Sequence, residues 1–589
     1  MTRQLPQLSR HVDAQGSGSS QPIRTNTAYT VKEAPFGTPQ PIRIVGIGAG
    51  ASGINLIRTL RNTLGPSTYE VMVYEKNENV GGTWFENRYP GCKCDVPSHN
   101  YQFSWRPNPA WSSFFAPAAE IEDYLCQICD DEKLRPFIKT SHQIIGAAWS
   151  ESKAVWELQI KNLGTGAVFE DYANFFIDAT GILNKWRFPD VEDIAVFEGT
   201  LIHSANWPKN FDYTNKTVAV IGNGASGVQI VPAMRPPSSQ QADVKKLHHV
   251  IRTPTLIIPP RVATMKMGPS AALLDQIEMD ENERFSAATI EKFKNDQAFY
   301  NKFTKTLEMD SNIKFAISLI AGSPQQAWAL GKTKEFMTAM LKGNEKLCKQ
   351  LIPDFPLGCK RLTPAPGYLE SFHDPRVSLH TDAIKRFVPQ GIELATGEIL
   401  EVDVVVCATG FDSSFLPSFP LVGRHGNLQD IWSEQTPKAY MSLAVAGLPN
   451  FFKFLGPNAP VVQGDVFTLS EHIATYIANT ILKCQTEGVR TIAPSEAAVE
   501  DYFEHISAIM PRTVFAGGCR SWYKQGEVNG PVTGLYPGSR MHFIRLLERF
   551  RGEDWEYTYE NSKQNRFAYL GNGFTAPEMA MLKAGAPPS

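Results

Sequence analysis

The sequence predicts an α/β protein with two Rossmann-like dinucleotide-binding domains, the second inserted into a discontinuous first. Two glycine-rich loops, residues 48–53 and 222–227, each follow a short apolar segment and precede another that ends in a charged residue. Apolar segments ending in Ala-Thr-Gly, at 179–181 and 408–410, lie on either side of the second unit. These features predict two strand–turn–helix units, each placing a pyrophosphate at a helix N-terminus.

The first glycine-rich loop follows the apolar segment Ile42–Ile47 and carries Gly48, Gly50 and Gly53. The next predicted strand, Tyr69–Tyr74, ends at Glu75. An acid at this place accepts hydrogen bonds from a ribose 2′-hydroxyl. The predicted ligand is therefore an unphosphorylated dinucleotide, most simply FAD.

The second loop follows Thr217–Ile221 and carries Gly222, Gly224, Ser226 and Gly227. Its second predicted strand, residues 248–251, ends at Arg252, and Thr253 comes next. A cation at this strand end suits a 2′-phosphate. The second predicted ligand is therefore NADPH, although a solvated surface arginine would give the same pattern.

The chain of 589 residues is long enough for about three domains of typical size. We predict a disordered or loosely draped N-terminal extension (1–38), a first part of the FAD domain (39–181), the NADPH domain (182–395) and a second part of the FAD domain (396–589). Within the NADPH domain, residues 265–350 are predicted to be helical, because strand patterns are missing and Phe299, Phe303 and Leu307 recur on one helix face.

Composition excludes several classes of function. The net charge of −3 gives no electrostatic attraction for nucleic acid or an anionic membrane. No apolar stretch reaches eighteen residues and no signal-peptide pattern opens the chain, so we expect a cytoplasmic protein without a membrane span. We expect no metal site and favour a monomer.

The nine cysteines are scattered and odd in number, unlike a secreted disulfide framework. Cys126 and Cys129 have CxxC spacing, but residues 121–129 form an amphipathic helical pattern with one apolar stripe. Two buried thiols are the favoured interpretation, and a redox pair is the alternative.

Two longer motifs indicate a family. Residues 197–208, FEGTLIHSANWP, resemble the FxGxxxHxxxW(P/D) fingerprint of Baeyer–Villiger monooxygenases, and residues 81–95, GGTWFENRYPGCKCD, resemble the second family fingerprint, GGxWxxxxYPGxxxD. A third match begins at 359–362, CKRL. The fingerprint positions of the first motif are Phe197, Gly199, His203 and Trp207.

The resemblance covers about residues 40–560 and implies a function. Members of the family insert one oxygen atom from O₂ beside a ketone carbonyl, giving an ester or lactone through a flavin C4a-peroxide, with NADPH as the reductant. The alternative is a related flavin enzyme that oxygenates nitrogen or sulfur. A disulfide reductase using Cys126 and Cys129, and a flavoprotein without enzymatic activity, are further hypotheses.

The resemblance also assigns roles. Arg361 matches the catalytic arginine and Asp95 the carboxylate that pairs with it, whereas a structural ion pair is the simpler alternative. Lys360 matches a ligand of the 2′-phosphate, alongside Arg252 and Thr253. His203 lies in a linker between domains, where a structural role and a part in domain movement are equally favoured. Further cofactor-binding positions are Thr83, Trp84, Tyr101 and Trp522, although core packing also explains the tryptophans.

Overall fold

The computed structural model describes residues 29–235, 244–260, 262, 265, 268–561 and 563–584, with side chains for all of these except 315–317. Residues 1–28 of the predicted extension lie outside this range. Residues 29–38 pack against the other end of the chain, since the Phe36 amide donates to the Phe574 carbonyl (2.7 Å) and the Gly37 amide to the Tyr569 carbonyl (3.0 Å).

The described strands, numbered in chain order, are β1 Ile42–Ile47, β2 Tyr69–Tyr74, β3 Ile138–Lys139, β4 His142–Ser150, β5 Val155–Asn162, β6 Val168–Ala173, β7 Phe175–Asp178, β8 Thr200–His203, β9 Thr217–Ile221, β10 Lys246–Val250, β11 Ile257–Ile258, β12 Thr363–Pro364, β13 Val377–His380, β14 Ile384–Val388, β15 Gly391–Leu394, β16 Ile399–Glu401, β17 Val404–Cys407, β18 Leu421–Gly423, β19 Gly426–Asn427, β20 Phe451–Lys453, β21 Val489–Pro494 and β22 Trp555–Tyr559.

The described helices are α1 Ala51–Thr63, α2 Thr83–Glu86, α3 Ala118–Asp131, α4 Gly227–Met234, α5 Ala271–Leu274, α6 Ala287–Asn295, α7 Gln297–Ser318, α8 Pro324–Met340, α9 Glu345–Leu351, α10 Leu428–Glu434, α11 Val466–Glu487, α12 Glu496–Ile509, α13 Arg540–Leu547 and α14 Ala576–Lys583.

Two five-stranded parallel sheets form the framework, as the two glycine-rich loops predict. The first sheet has the order β20-β7-β1-β2-β3, and the second has the order β13-β10-β9-β17-β8. In each, the strand that precedes the glycine-rich loop is central, β1 between β7 and β2, and β9 between β17 and β10. Both loops therefore lie at the carboxyl edge of a parallel sheet, where ligands of such folds bind. A separate sheet, β19-β18-β4-β5-β6, packs beside the first.

The predicted return to the first domain at residue 396 requires a correction. Residues 404–407 form β17, which pairs in parallel with both β8 and β9 and so belongs to the second sheet. All four of its residues are buried, and a fully buried apolar strand looks the same in sequence whichever parallel sheet it joins. The chain returns to the first sheet with β20, which pairs with β7.

The helical region predicted at 265–350 is divided between two cores. Phe303 and Leu307 of α7 are fully buried in the large core of the first domain, and Phe299 packs against it. Met337 of α8 and Leu351 of α9 are instead buried in the core of the second domain. The insert therefore packs on both domains at once and borders the space between them.

Candidate functional site

The first glycine-rich loop is shaped by close backbone approaches. Gly48 has φ +95°, and a Cβ there would lie 2.7 Å from the Ala179 carbonyl oxygen. A Cβ at Gly53 would lie 1.9 Å from the Gly48 carbonyl oxygen. Gly50 is the N-cap of α1 and has no side chain to occupy the first-turn N–H groups. These residues suit an anionic group bound at the helix N-terminus.

Glu75 lies beside this loop, at the end of β2. Its Oε2 accepts from the Ala49 amide (2.7 Å) and its Oε1 from the Asn77 amide (2.8 Å). Burial raises the pKa of Glu75, although both amide bonds act in the opposite direction. The two amides orient the carboxylate, and each oxygen keeps a lone pair with which it can accept from a ribose hydroxyl.

The second loop has the same shape with one open position. Cβ atoms at Gly222 and Gly227 would lie 2.5 Å from the Ala408 carbonyl oxygen and 2.0 Å from the Gly222 carbonyl oxygen, respectively. A Cβ at Gly224 would meet nothing within 4 Å. Gly224 therefore faces free space next to Ser226, the N-cap of α4, and a pyrophosphate fits there.

A cluster of cations lies beyond the second loop. Lys360 Nζ donates to Thr253 Oγ1 (2.9 Å) and to the Pro254 carbonyl (3.0 Å). Burial and the charge of Arg252 lower the pKa of Lys360 to about 8. Burial and the charge of Arg520 lower the pKa of Arg252. Lys360, Arg252 and Arg520 therefore concentrate positive charge in one place, an environment that suits a dianion such as a 2′-phosphate.

Arg520 was not predicted to belong to this cluster, because nothing in its neighbouring residues distinguishes it from a surface arginine. A disulfide joins the residues that precede Lys360 and Arg520, since Cys359 pairs with Cys519 across 160 residues. This bond connects the two segments that carry the cations.

Arg361 and Asp95 meet as a bidentate pair. Arg361 Nη2 donates to Asp95 Oδ1 (2.6 Å), and Nε donates to Oδ2 (2.9 Å). Desolvation lowers the pKa of Arg361, but the charge and hydrogen bonds of Asp95 outweigh it and raise the pKa above its ordinary value. The arginine side chain is 32% exposed, so it stays charged while part of it remains accessible.

The position of Asp95 depends on a contact between the two domains. Tyr89 Oη donates to Gln229 Oε1 (2.9 Å), and Gln229 Nε2 donates to the Lys93 carbonyl (3.0 Å). A Cβ at Gly91 would lie 2.8 Å from the Ala233 Cβ, so only glycine lets this loop approach α4 so closely. Docking on α4 brings the loop of residues 89–95 against the segment that carries Arg361.

Two pockets share Arg361 and Val462 as a common wall. The first is also lined by Lys360, Phe515 and Tyr523. The second is also lined by Glu308 and Arg540. The guanidinium of Arg361 is thus available to groups bound on either side of it.

The remaining predicted cofactor residues lie around the first domain. Tyr101 is buried, with its ring in edge contact with Trp84 (5.4 Å) and Phe467 (4.7 Å). Thr83 is exposed and begins α2. Trp522 is partly buried and its ring contacts Tyr523 (4.6 Å), which itself lines the first pocket beside Arg361.

The fingerprint residues 197–207 form a packed connection. His203 ends β8, stacks on Trp186 (4.7 Å), and accepts from the Ala205 amide through Nδ1 (3.1 Å). Burial lowers the pKa of His203 to about 4, so the ring is neutral near pH 7. A Cβ at Gly199 would lie 2.4 Å from the Phe197 ring, and Trp207 is buried in the second core. These contacts favour a structural role for both residues.

Cys126 and Cys129 lie on α3 as free thiols, Cys129 fully buried and Cys126 partly. Burial raises the pKa of Cys126 and raises that of Cys129 to about 12. A redox pair needs an accessible thiolate, so this environment favours two core thiols.

The described part of the chain has no helix whose length and apolar character would let it span a bilayer. It also contains no group of three or more His, Cys, Asp or Glu arranged to hold a metal ion.

Comparison with known proteins agrees with this geometry. Residues 47–118 match the family described as NAD(P)-binding Rossmann-like domain. The chain is 36% identical to the FAD-binding monooxygenase tazF of Aspergillus terreus over 92% of this chain and 93% of that one. It is 30% identical to a Baeyer–Villiger monooxygenase of Streptomyces coelicolor over 86% and 91%. The fold matches that of a Rhodococcus cyclohexanone monooxygenase with a TM-score of 0.71, at 24% identity and over 88% of this chain and 99% of that one.

The fold and the sequence relatives together identify a flavin-dependent monooxygenase. The chain belongs to the family of FAD-binding monooxygenases, which includes the Baeyer–Villiger relative. The predicted fold class, the prediction of an NADPH-dependent flavin monooxygenase, and the predicted cofactors FAD and NADPH are confirmed.

Proposed function

We propose that the protein inserts one oxygen atom from O₂ beside the carbonyl of a ketone, giving an ester or lactone, with NADPH as the reductant. The observation that carries the proposal is the bidentate Arg361–Asp95 pair, whose guanidinium borders two pockets at once. The Baeyer–Villiger relative at 30% identity supports the same reaction.

The residues around each glycine-rich loop suit one cofactor. FAD would be held by Gly48, Gly50 and Gly53, with Glu75 at its ribose and the residues Thr83, Trp84, Asp95 and Tyr101 toward its ring. NADPH would be held by the residues of the second loop and its cations, Gly222, Gly224, Ser226, Gly227, Arg252, Thr253 and Lys360, with Trp522 near the opening. When bound, this pair supplies hydride transfer and oxygen activation.

Arg361 supplies the charge that the reaction needs. Addition of an oxygen nucleophile to a ketone turns the carbonyl oxygen into an oxyanion, and a fixed cation stabilises that charge as it develops. Asp95 takes the Nε hydrogen and one of the two Nη2 hydrogens of Arg361, so the other Nη2 hydrogen and the Nη1 hydrogens are the donors proposed for the oxyanion. Asp95 keeps the guanidinium in one orientation, so little reorganisation is needed during the reaction.

His203 has no proton-transfer role in this proposal. Its pKa of about 4 keeps it neutral, and its ring stacks on Trp186. General acid–base catalysis requires a group that changes protonation near the working pH. His203 instead fixes the connection between β8 and the segment that leads to the second loop.

Product analysis tests the proposal. The FAD-loaded protein is incubated with NADPH, O₂ and, separately, a ketone, a tertiary amine and a thioether, and products are identified by mass spectrometry. The expected result is an ester or lactone from the ketone, with NADPH consumption increased by the ketone. An N-oxide or sulfoxide without any ester would support the alternative of nitrogen or sulfur oxygenation and overturn the proposal.

A further inference from the structure

The second pocket beside Arg361 is lined by polar groups from three parts of the chain. Glu308, Ser311 and Asn312 come from one face of α7, and Asn100 comes from the loop that follows Asp95. Gly464, Asp465 and Arg540 complete the polar part of the lining. Val96 and Val462 are the apolar residues of the lining. A pocket built only for a hydrocarbon ketone would be mostly apolar.

Several of these polar atoms lack a partner within the described residues. Asn100 Oδ1, Ser311 Oγ and Arg540 Nε are buried there without a hydrogen bond. Asn100 Nδ2 donates to the Thr304 carbonyl (2.9 Å), which leaves the amide oxygen as an acceptor. Burying polar groups without hydrogen-bond partners destabilises the unliganded protein. A bound ligand that pairs with them would remove this cost.

Arg540 is the most buried of these residues, at 2% exposed. Its Nη2 donates to Asp465 Oδ2 (3.0 Å), and its Nη1 donates to the Gln463 carbonyl (3.3 Å). Gly464 has φ +86°, and a Cβ there would lie 2.3 Å from Arg540 Nη1. The arginine is therefore held firmly against this wall of the pocket, with Nε unpaired.

Glu308 adds a carboxyl group to the lining. Burial raises the pKa of Glu308, and the charges of Arg540 and Asp465 act on it in opposite directions. The lining therefore holds a donor (Arg540 Nε) and acceptors (Glu308 and Asn100 Oδ1), with Ser311 able to act as either.

We propose that this pocket selects an oxygen-rich ketone, one that carries at least one free hydroxyl group besides the reacting carbonyl. The hydroxyl would donate to Glu308 or Asn100 Oδ1 and accept from Ser311 or Arg540, while the carbonyl lies at Arg361. The inference rests on the proposed ketone oxygenation, because the shared wall at Arg361 is what places a reacting carbonyl in this pocket.

The pocket would discriminate between ketones because buried polar groups that lack hydrogen bonds destabilise the complex. A site built to hydrogen-bond a hydroxyl discriminates strongly against an analogue that lacks the donor, because its own buried groups then remain unpaired. A methoxy group keeps a similar ring electronic effect but cannot donate. Matched hydroxy and methoxy ketones therefore separate hydrogen bonding from electronic effects.

The test uses the full-length, FAD-loaded protein with 1-tetralone, 6-hydroxy- and 7-hydroxy-1-tetralone, and the two methoxy counterparts. Dissociation constants are measured from the change in flavin absorbance, without turnover, and kcat/KM is measured separately from product formation. We expect at least one hydroxy ketone to bind about tenfold or more tightly than its methoxy counterpart, with kcat/KM following the same order.

Pocket variants test whether the preference for a hydroxy ketone arises in this pocket. Glu308→Leu and Ser311→Ala should reduce the preference to about threefold or less. Lys305→Ala, an exposed position on the same helix, should leave it unchanged. Flavin content and the far-ultraviolet circular dichroism spectrum identify any variant that does not fold. If one of the two pocket variants does not fold, the other decides the result.

The outcomes distinguish this inference from the proposed function. Oxygenation of all the tetralones without a hydroxyl preference would overturn the inference and leave the function standing. A hydroxyl preference in binding, lost in the pocket variants, would support the polar pocket even if no ketone were oxygenated, in which case the proposed function would fail. A preference that persists in both Glu308→Leu and Ser311→Ala would overturn the inference.

Discussion

Replacement of Arg361 by alanine is the sharpest test of the site. The substitution removes the cation that borders both pockets and that forms the bidentate pair with Asp95. We expect FAD still to bind, because the glycine-rich loop and Glu75 are untouched. Oxygenation should fall steeply, because the developing oxyanion loses its donor.

The structure sets the size of this loss. Asp95 takes the Nε hydrogen and one Nη2 hydrogen, at 2.9 and 2.6 Å, and we expect the substrate oxygen to accept from one of the remaining guanidinium hydrogens. Loss of a single fixed oxyanion donor costs about 2.7–4 kcal/mol, a factor of about 10² to 10³ in kcat. The Asp95 carboxylate, no longer neutralised by Arg361, adds a negative charge beside the oxyanion. The expected loss is therefore at least about a hundredfold.

The assay separates the chemical steps. Anaerobic flavin reduction by NADPH is followed by stopped-flow absorbance, and oxygenated product is then quantified after a single exposure to O₂. Arg361→Lys keeps the charge but loses the bidentate geometry, so it should recover only part of the activity. Arg545→Ala is the matched control, since Arg545 is a surface arginine paired with Glu548.

One result would exclude Arg361 as the donor to the oxyanion. If Arg361→Ala, fully loaded with FAD and reduced by NADPH, formed ester within about threefold of the wild-type rate, the guanidinium would not be the oxyanion donor. A loss of FAD binding in Arg361→Ala but not in Arg545→Ala would instead assign Arg361 a structural role.

Three further predictions concern the second domain and its connection to the first. Because the pKa of Lys360 is about 8, the lysine is positively charged below that pH and neutral above it. KM for NADPH should therefore rise as the pH increases through 8. KM for NADPH should not change with pH in Lys360→Arg, and KM for NADH should show no such trend in the wild-type protein. Gly224→Ala should keep the stability of the fold, because its Cβ meets nothing within 4 Å, yet weaken NADPH binding, whereas Gly222→Ala should lower the melting temperature. Cys519→Ser should lower the free energy of unfolding by about 2–5 kcal/mol, because the Cys359–Cys519 bond closes a loop of 160 residues; a denaturant titration showing no difference would contradict this.

Much of the framework was predictable because its signals are local. The strands Ile42–Ile47, Tyr69–Tyr74 and Thr217–Ile221 occur with the predicted bounds, since each is a short apolar run closed by a glycine-rich turn or a charged residue. The sheet assignment of 404–407 was wrong because the apolar residues of a buried parallel strand do not indicate which strands it pairs with.

The site residues also differ in how far the sequence predicted them. Arg361 and Asp95 were paired by family resemblance alone, since 266 residues separate them and no periodicity relates them. Arg520 and the polar pocket around Arg540 were missed, because isolated charged residues on a helix or loop resemble an ordinary solvated surface. Only packing shows that Arg540 is buried.

The sequence by itself determined the two nucleotide loops, the strand ends that distinguish their ligands, and the helical character of the insert. Each of these depends on a few neighbouring residues and on backbone geometry that glycine alone permits. The tertiary structure decided which charges meet, namely Arg361 with Asp95, Lys360 with Arg252, and Arg540 with Asp465. The physical reason is that electrostatic and hydrogen-bond partners are set by distance in space, and here that distance is created by the docking of residues 89–95 on α4 and of the helical insert on both cores.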